Sequence, residues 1–460
     1  GCGSADGGPG CVTLEAHLDF STLNVFSHMN PSLPVAILRS LDRPWAIKVS
    51  YNEAKLATSL QPPENATYDI VIVGGAIMGA SAAWFLSDDA DFNGSVLVVE
   101  KDTSYEFSST MKSNSCIRQQ FSSPLNVRIS QFSADFIQNL PSYMKGDPRA
   151  PKLKINSFGY LYLANNLSGA AVLRENQAVQ IACGAATQLM TPTQIKAAYP
   201  FYNVDDIVLG SINLIDEGYW DGVAVFDCWR KSAADRGVEF VQNEVVGMSK
   251  NAAGTRVESV TLKTGEVISC GQVLNASGPR AIETAKMAGA QIPVEPRKRY
   301  SWIFSAQKPL DKPLPLTIDP SGVHMRDNGG GTYLCGGRSF NDQAVEYDDF
   351  EMDHSLWEAD IWPIIAARIP QFEAIKIQSE WAGHYAYNCF DQNAIIGPHN
   401  DVENFFFING FSGHGLQQSP AMGRAIAEIM VHGAYQTLDL TAFGFDRFAA
   451  NRPILEKAII

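Results

Sequence analysis

The 460 residues are 45% hydrophobic and 18% charged, which is enough apolar material for a large core, and the length favours two or more domains. A formal charge of −14 at pH 7 argues against nucleic acid as a partner, because neutralising phosphates needs a basic surface. No apolar run approaches the roughly 20 residues that cross a bilayer, so no transmembrane segment is expected. The eight cysteines form no CxxC pair and so have neither zinc-ribbon nor thioredoxin spacing; they read as mostly reduced thiols, and no metal site is expected.

The first residue is Gly1 rather than methionine, which reads as a processed or truncated start. Residues 1–66 read as an N-terminal extension, an arm lying on its own domain or on a partner, closed by the linker "QPPENAT". A strand (Asp69–Val73), a helix (Ile77–Leu86) and a second strand (Ser95–Glu100) then form an opening βαβ unit. "FDCWRKSAADRGVEFV" predicts an amphipathic helix ended at Gly237 and followed by a strand. "VESVTLKTGEVISCGQVLNASG" predicts a hairpin turning at Gly265 and ending in a buried strand, Gln272–Ala276. Further strands are expected at Ser301–Ser305, Gly331–Cys335 and Asn404–Ile408, with a long helix over Gln418–His432. Strands interleaved with helices place the chain in the α/β class.

In "VGGAIMG" the template G-x-G-x-x-G falls on Gly74, Ala76 and Gly79, with Gly75, Ile77 and Met78 completing the loop. The first position makes a tight turn, the second lets main chain approach a pyrophosphate, and the third packs helix on strand. Alanine at the second position departs from the template. The context restores it: a strand before, a helix after, and Glu100 at the end of the second strand to accept ribose hydroxyls. At this point FAD and NAD both remain open, while an acid at position 100 disfavours NADP.

Three further stretches carry a resemblance: "SSTMKSNSCIRQQFSSPLNVRIS" (Ser108–Ser130), "VLNASGPRAIETAKMAG" (Val273–Gly289), and the stretch from "WAGHYAYNCF" to "GFSGHGLQQSPAMGRAIAEIM" (Trp381–Met430). They resemble the D-amino-acid oxidase superfamily of FAD flavoproteins, which includes sarcosine oxidase, glycine oxidase and dimethylglycine dehydrogenase. The third stretch resembles a mitochondrial branch associated with assembly of respiratory complex I. The resemblance covers most of Tyr68–Val431. It implies a discontinuous Rossmann-like FAD-binding domain (67–150, 216–290 and 380–445), a mixed-sheet α+β substrate domain (151–215 and 291–379) and a tail (446–460). It also implies an FAD-dependent oxidoreductase moving hydride from an amine or amino-acid CH–NH group to flavin N5, in the mitochondrial matrix or peripheral to the inner membrane. The alternative is an FAD-containing assembly factor or accessory subunit of respiratory complex I with little turnover.

By the same resemblance, the cofactor-binding set extends to Lys101, Ser109, Arg118, Val246, Ala276 and Gly278, and to the loop residues Gly410, Ser412, Gly413, His414, Gly415, Leu416 and Gln417. Glycines there let amides crowd a flat ring, and the following helix aims its positive end at the edge that gains charge on reduction. The cysteine that ties the flavin in sarcosine oxidase has no counterpart in "WAGHY", so FAD is expected to be held non-covalently. Arg326 in "SGVHMRD" stands where relatives grip a substrate carboxylate, with a surface ion pair as the alternative. His384 and Tyr385 fall where relatives line the flavin pocket, and His414 reads as either catalyst or backbone-orienting residue. Cys116 stands where many relatives carry glycine, near the ring edge.

Overall fold

The structure, a computed structural model, describes residues 60–457; most of the expected N-terminal arm, residues 1–59, lies outside them. One eight-stranded sheet runs in the order Ile395–Pro398, Phe405–Asn409, Val267–Asn275, Thr67–Val73, Val96–Glu100, Glu239–Gln242. The strands Val245–Lys250 and Val257–Leu262 fold off its centre. Four successive pairings along that order are parallel, with Val73 opposite both Val99 and Asn275, and Asn275 opposite Phe407. A parallel sheet covered on both faces needs apolar side chains in both directions. Ile70, Ile72, Val96, Val98, Leu274, Phe406 and Ile408 enter one core, while Val71, Val73, Leu97, Val99, Val273, Phe405 and Phe407 enter the other. Neighbouring residues face opposite ways with the strand period of two, so the continuous apolar runs in the sequence fill two cores at once.

On the first face the helix Ile77–Asp88 packs against the helices Gly415–His432 and Gly222–Asp235. The small residues in "MGASAAW" permit this contact. Ser81 Oγ donates to the Ser419 carbonyl at 2.8 Å, and a Cβ added at Gly423 would lie 1.9 Å from that hydroxyl. The long helix begins at Gly415, three residues before the sequence expectation. Pro420 has no N–H for the Leu416 carbonyl, and Ser419 Oγ donates to it instead at 2.9 Å, so the first turn survives the proline.

The second eight-stranded sheet is mixed: Ile375–Asn388, Val294–Ala306, Thr332–Gly337, His324–Gly329, Leu316–Ile318, Tyr160–Ala164, Leu209–Asn213, Gln188–Met190. Its long strand Val294–Ala306 exceeds the expected Ser301–Ser305 because pairing with Ile375–Asn388, which sets Lys298 opposite His384, carries it through the charged "PRKR". A short ribbon pairs Cys116–Ile117 with Gly218–Tyr219. Among the described residues no helix is long and apolar enough to cross a membrane.

Candidate functional site

A cavity of about 510 Å³ opens at the carboxyl ends of the parallel strands, where ligands of open α/β sheets bind. Gly74 has φ +100°, and a Cβ there would lie 2.6 Å from the Ala276 carbonyl oxygen. Only glycine fits that turn. The helix Ile77–Asp88 starts behind it, so its positive end meets the cavity, with the Ile77 N–H donating to Thr110 Oγ1 at 3.2 Å. Glu100 is fixed by its own main chain: Oε2 accepts from the Gly75 N–H at 2.8 Å and Oε1 from the Asp102 N–H at 2.9 Å. Each oxygen keeps an acceptor site for a hydroxyl group. Burial pushes this carboxyl up from its ordinary value, against those amides, which favour the ionised form.

A second helix N-terminus, that of Gly415–His432, reaches the cavity from the other side. Gly413 precedes it at φ +94°, where a Cβ would lie 2.4 Å from the Tyr385 ring. His414 Nε2 accepts from Arg118 Nη2 at 3.2 Å; burial and the adjacent guanidinium hold this histidine neutral, far below its usual range. Arg118 is itself buried, with its guanidinium 4.3 Å over the Phe121 ring and its amide donating to Gln417 Oε1 at 2.8 Å. Tyr160, Cys116, Arg299, Ser301 and His324 complete this end. Arg299 is ion-paired with Asp342 and lies 4.5 Å over the Tyr385 ring. His324 Nε2 accepts from Asn114 Nδ2 at 3.0 Å, and Ser301 Oγ donates to Asn114 Oδ1 at 3.2 Å. Burial and then Arg326 and Arg299 push His324 down to about 4. Beneath the wall lies Glu217, fully buried, accepting from Gln119 N, Gln120 Nε2 and Asn213 Nδ2 at 2.7–2.9 Å.

Of the residues singled out in the sequence, Gly74, Ala76, Ile77, Met78, Glu100, Lys101, Ser109, Arg118, Ala276 and Gly278 line the cavity, as do His384, Tyr385 and the stretch Ser412–Gln417. Gly75 contributes its amide to Glu100, while Gly79 and Gly410 stand behind the wall as close-packing positions. Val246 is half exposed and its neighbour Val245 lines the cavity, a displacement of one residue that on a strand reverses the side chain. Arg326 is not in the lining. Its guanidinium donates to the carbonyls of Asp327 and Asn114 and to Asn328 Oδ1, and it lies 4.4 Å over the Tyr219 ring. His384 is held by donation from Nε2 to the Asp349 carbonyl at 2.7 Å and by stacking on Phe350 at 4.1 Å. Asn114, Tyr160, Arg299, Ser301 and His324 went unnoticed because they come together from four separate strands or loops, Arg299 and Ser301 sharing Val294–Ala306, and only the order of the second sheet places them side by side.

Comparison with known proteins adds three relatives and a family. The model of the family described as FAD dependent oxidoreductase matches residues 69–429. The FAD-dependent oxidoreductase domain-containing protein 1 of Xenopus laevis is 38% identical over 431 residues, covering 87% of this chain and 86% of its own length. Sarcosine oxidase subunit beta of Rhizobium meliloti is 24% identical over 404 residues, covering 86% of this chain and 92% of its own. Among solved structures, L-proline dehydrogenase from P. horikoshii superposes with a TM-score of 0.71 at 24% identity over 84% of this chain and 99% of that one, which shows a shared fold.

Proposed function

Because the chain belongs to the FAD-dependent oxidoreductase family, we propose that it dehydrogenates a small amino acid or secondary amine at the arginine-lined end of the cavity. FAD is the cofactor of this family, and the residues fit it: a turn that a Cβ would fill, two helix N-termini and a fixed carboxylate for ribose. Gly74–Met78 and Glu100 would hold its nucleotide half, and Ser412–Gln417 its ring. When bound, FAD supplies a two-electron acceptor for hydride.

The observation that carries the reading is buried Arg118 in the cavity wall, with its guanidinium 4.3 Å over the Phe121 ring and 5.6 Å over the Tyr160 ring. A guanidinium presents a planar fork suited to a carboxylate, and the aromatic rings packed against it limit access of water. The same charge, with Arg299 nearby, disfavours an ammonium ion in the pocket and so favours the neutral amine from which hydride leaves. His414 and His324, kept uncharged by burial and their arginine neighbours, add no competing cation. On this reading Arg118, which lines the cavity, takes the role first expected of Arg326, which does not. The test is an anaerobic visible spectrum of the purified flavoprotein with sarcosine, dimethylglycine, proline and a mixture of amino acids. Loss of the oxidised-flavin band at about 450 nm is expected with at least one of them. A flavin that stays oxidised with the whole set would refute the assignment.

A further inference from the structure

The C-terminal segment crosses the protein to reach the corner where Arg118 sits. Asp391 anchors it: the carboxylate is fully buried, is ion-paired with Arg447 at 2.8 Å and accepts from the Ile454 N–H at 3.1 Å. Asn393 holds the Ile454 carbonyl from the other side. Two residues on, Glu456 turns inward and is 4% exposed. Its Oε1 accepts from both the N–H and the hydroxyl of Ser122 at 2.7 Å, and its Oε2 accepts from Asn126 Nδ2 at 3.0 Å. Ser122 and Asn126 flank the start of the helix Pro124–Gln138, so the carboxylate also meets that helix's positive end.

From there two short routes lead to the cavity. Asn126, wholly buried, accepts through Oδ1 from Gln418 Nε2 at 3.1 Å. Gln418 belongs to the first turn of the helix Gly415–His432, next to the Gln417 oxygen that takes the Arg118 N–H. The other route runs along the chain from Ser122 to Phe121, whose ring lies under the Arg118 guanidinium. A docked tail does not need a charge, since burying a carboxylate costs several kcal/mol unless opposite charge and hydrogen bonds offset it. Here the opposite charge is Arg118. Burial works against the guanidinium's charge, and the Glu456 and Glu217 carboxylates are among the groups that work for it, so its pKa stands above the ordinary value.

We infer that Glu456 is a positioning residue for substrate binding: through Ser122, Asn126 and Gln418 it holds Arg118 and the helix turn beside it in the geometry that receives a substrate carboxylate. The inference rests on the reading of the arginine end as a carboxylate pocket. The test uses the purified full-length holoprotein and benzoate, a planar aromatic carboxylate suited to a guanidinium packed on the Phe121 and Tyr160 rings, titrated by its perturbation of the flavin spectrum. Glu456→Gln should raise the benzoate dissociation constant at least tenfold while the flavin content stays that of the unsubstituted protein. Lys457→Ala, which removes only the exposed pair with Glu175, should leave the constant within twofold. A purely structural clamp predicts a lower melting temperature for Glu456→Gln with benzoate affinity unchanged, and that result overturns the inference. Should Glu456→Gln lose its flavin, Glu456→Asp keeps the charge but not the reach, and unchanged affinity there overturns it equally. If the unsubstituted protein does not take up benzoate, the pocket reading itself falls, and Glu456 with it.

Discussion

At the glycine end of the cavity two neighbouring stretches, 73–78 and 99–102, present main chain whose amides are held on the Glu100 carboxylate. At the arginine end Arg118, Tyr160, Arg299, His324, Tyr385 and His414 each arrive on a different strand or loop, and each contributes a side chain. A wall of main chain is fixed by sterics that act over a few residues, so its tolerance is small and its sequence pattern is local. A wall of side chains is fixed by sheet order and by buried polar partners behind it, so its weak points lie outside the cavity. The comparison predicts that the glycine end fails abruptly when crowded, and that the arginine end fails by degrees when its supports are changed.

The largest effect should come from crowding the first end. A Cβ at Gly79 would lie 1.9 Å from the Gly74 carbonyl oxygen, so Gly79→Ala must push the turn and the helix apart. We expect a loss of about 3 kcal/mol in urea unfolding, at the top of the usual range for overpacking, and purification largely without flavin. Retention of full flavin content would show that the turn yields. Next is the acid under the arginine end. Burial pushes the Glu217 carboxyl up from 4.5 to about 7, although Gln120, Gln119, Asn213 and Arg118 all favour its ionised form. The folded state therefore holds this proton more tightly than the unfolded chain. The associated stability is present below pH 4.5 and is lost as pH rises through 7, a difference of about 3 kcal/mol. Glu217→Gln should flatten the fall in unfolding free energy between pH 4.5 and 7 relative to the unsubstituted protein; parallel curves would contradict the raised value.

A smaller loss is expected when the carboxylate at the first end is removed. Glu100→Ala strands the amides of Gly75 and Asp102, at a cost of about 2 kcal/mol, which corresponds to FAD binding weakened about 30-fold. Glu100→Gln keeps an acceptor and should lose less; equal losses in a fluorescence titration would mean that charge rather than acceptor geometry matters. The smallest effect separates Arg326 from Arg118. Arg326→Lys gives up stacking on Tyr219 and part of a three-bond fan, so it should lower stability by about 1 kcal/mol and leave benzoate and flavin affinities within about twofold. A tenfold loss of benzoate affinity would return Arg326 to the role of carboxylate clamp.

The difference between the ends also explains what could be read from residues alone. "YDIVIVGGAIMG" announces its strand, turn and helix because the apolar period, the glycines and the acid at position 100 all lie within about thirty residues. Val246 misses the cavity wall by one residue, since the strand Val245–Lys250 is short and its phase is set by pairing with Val257–Leu262 rather than by its own pattern. "SGVHMRD" marks the right strand, yet the lining residue is His324. Arg326, on the same strand, is drawn behind the wall by Asn114 and Tyr219. Tyr160 and Ser301 carry no local signal, because their places follow from the order of the second sheet. Glu456 was legible only as part of the tail 446–460, and its role depends on Ser122 and Asn126, more than three hundred residues away.

The parallel pairing of Val73 with Asn275, and of Asn275 with Phe407, has a consequence for how the protein is made. Partners 202 and 132 residues apart give the fold a high contact order, so the first sheet cannot zip as the chain emerges from the ribosome. The βαβ unit at Thr67–Glu100 is synthesised early and must wait for its neighbour Val267–Asn275, which in turn waits until the last fifth of the chain delivers Phe405–Asn409 and the helix after it. During that interval an apolar strand edge is unpaired, and a holdase chaperone is its natural protection. The ligand cradle closes late for the same reason. Free FAD then acts on the final collapse by mass action, and scarcity of the vitamin from which it is made would lower the amount of folded protein before it lowered the activity of any molecule.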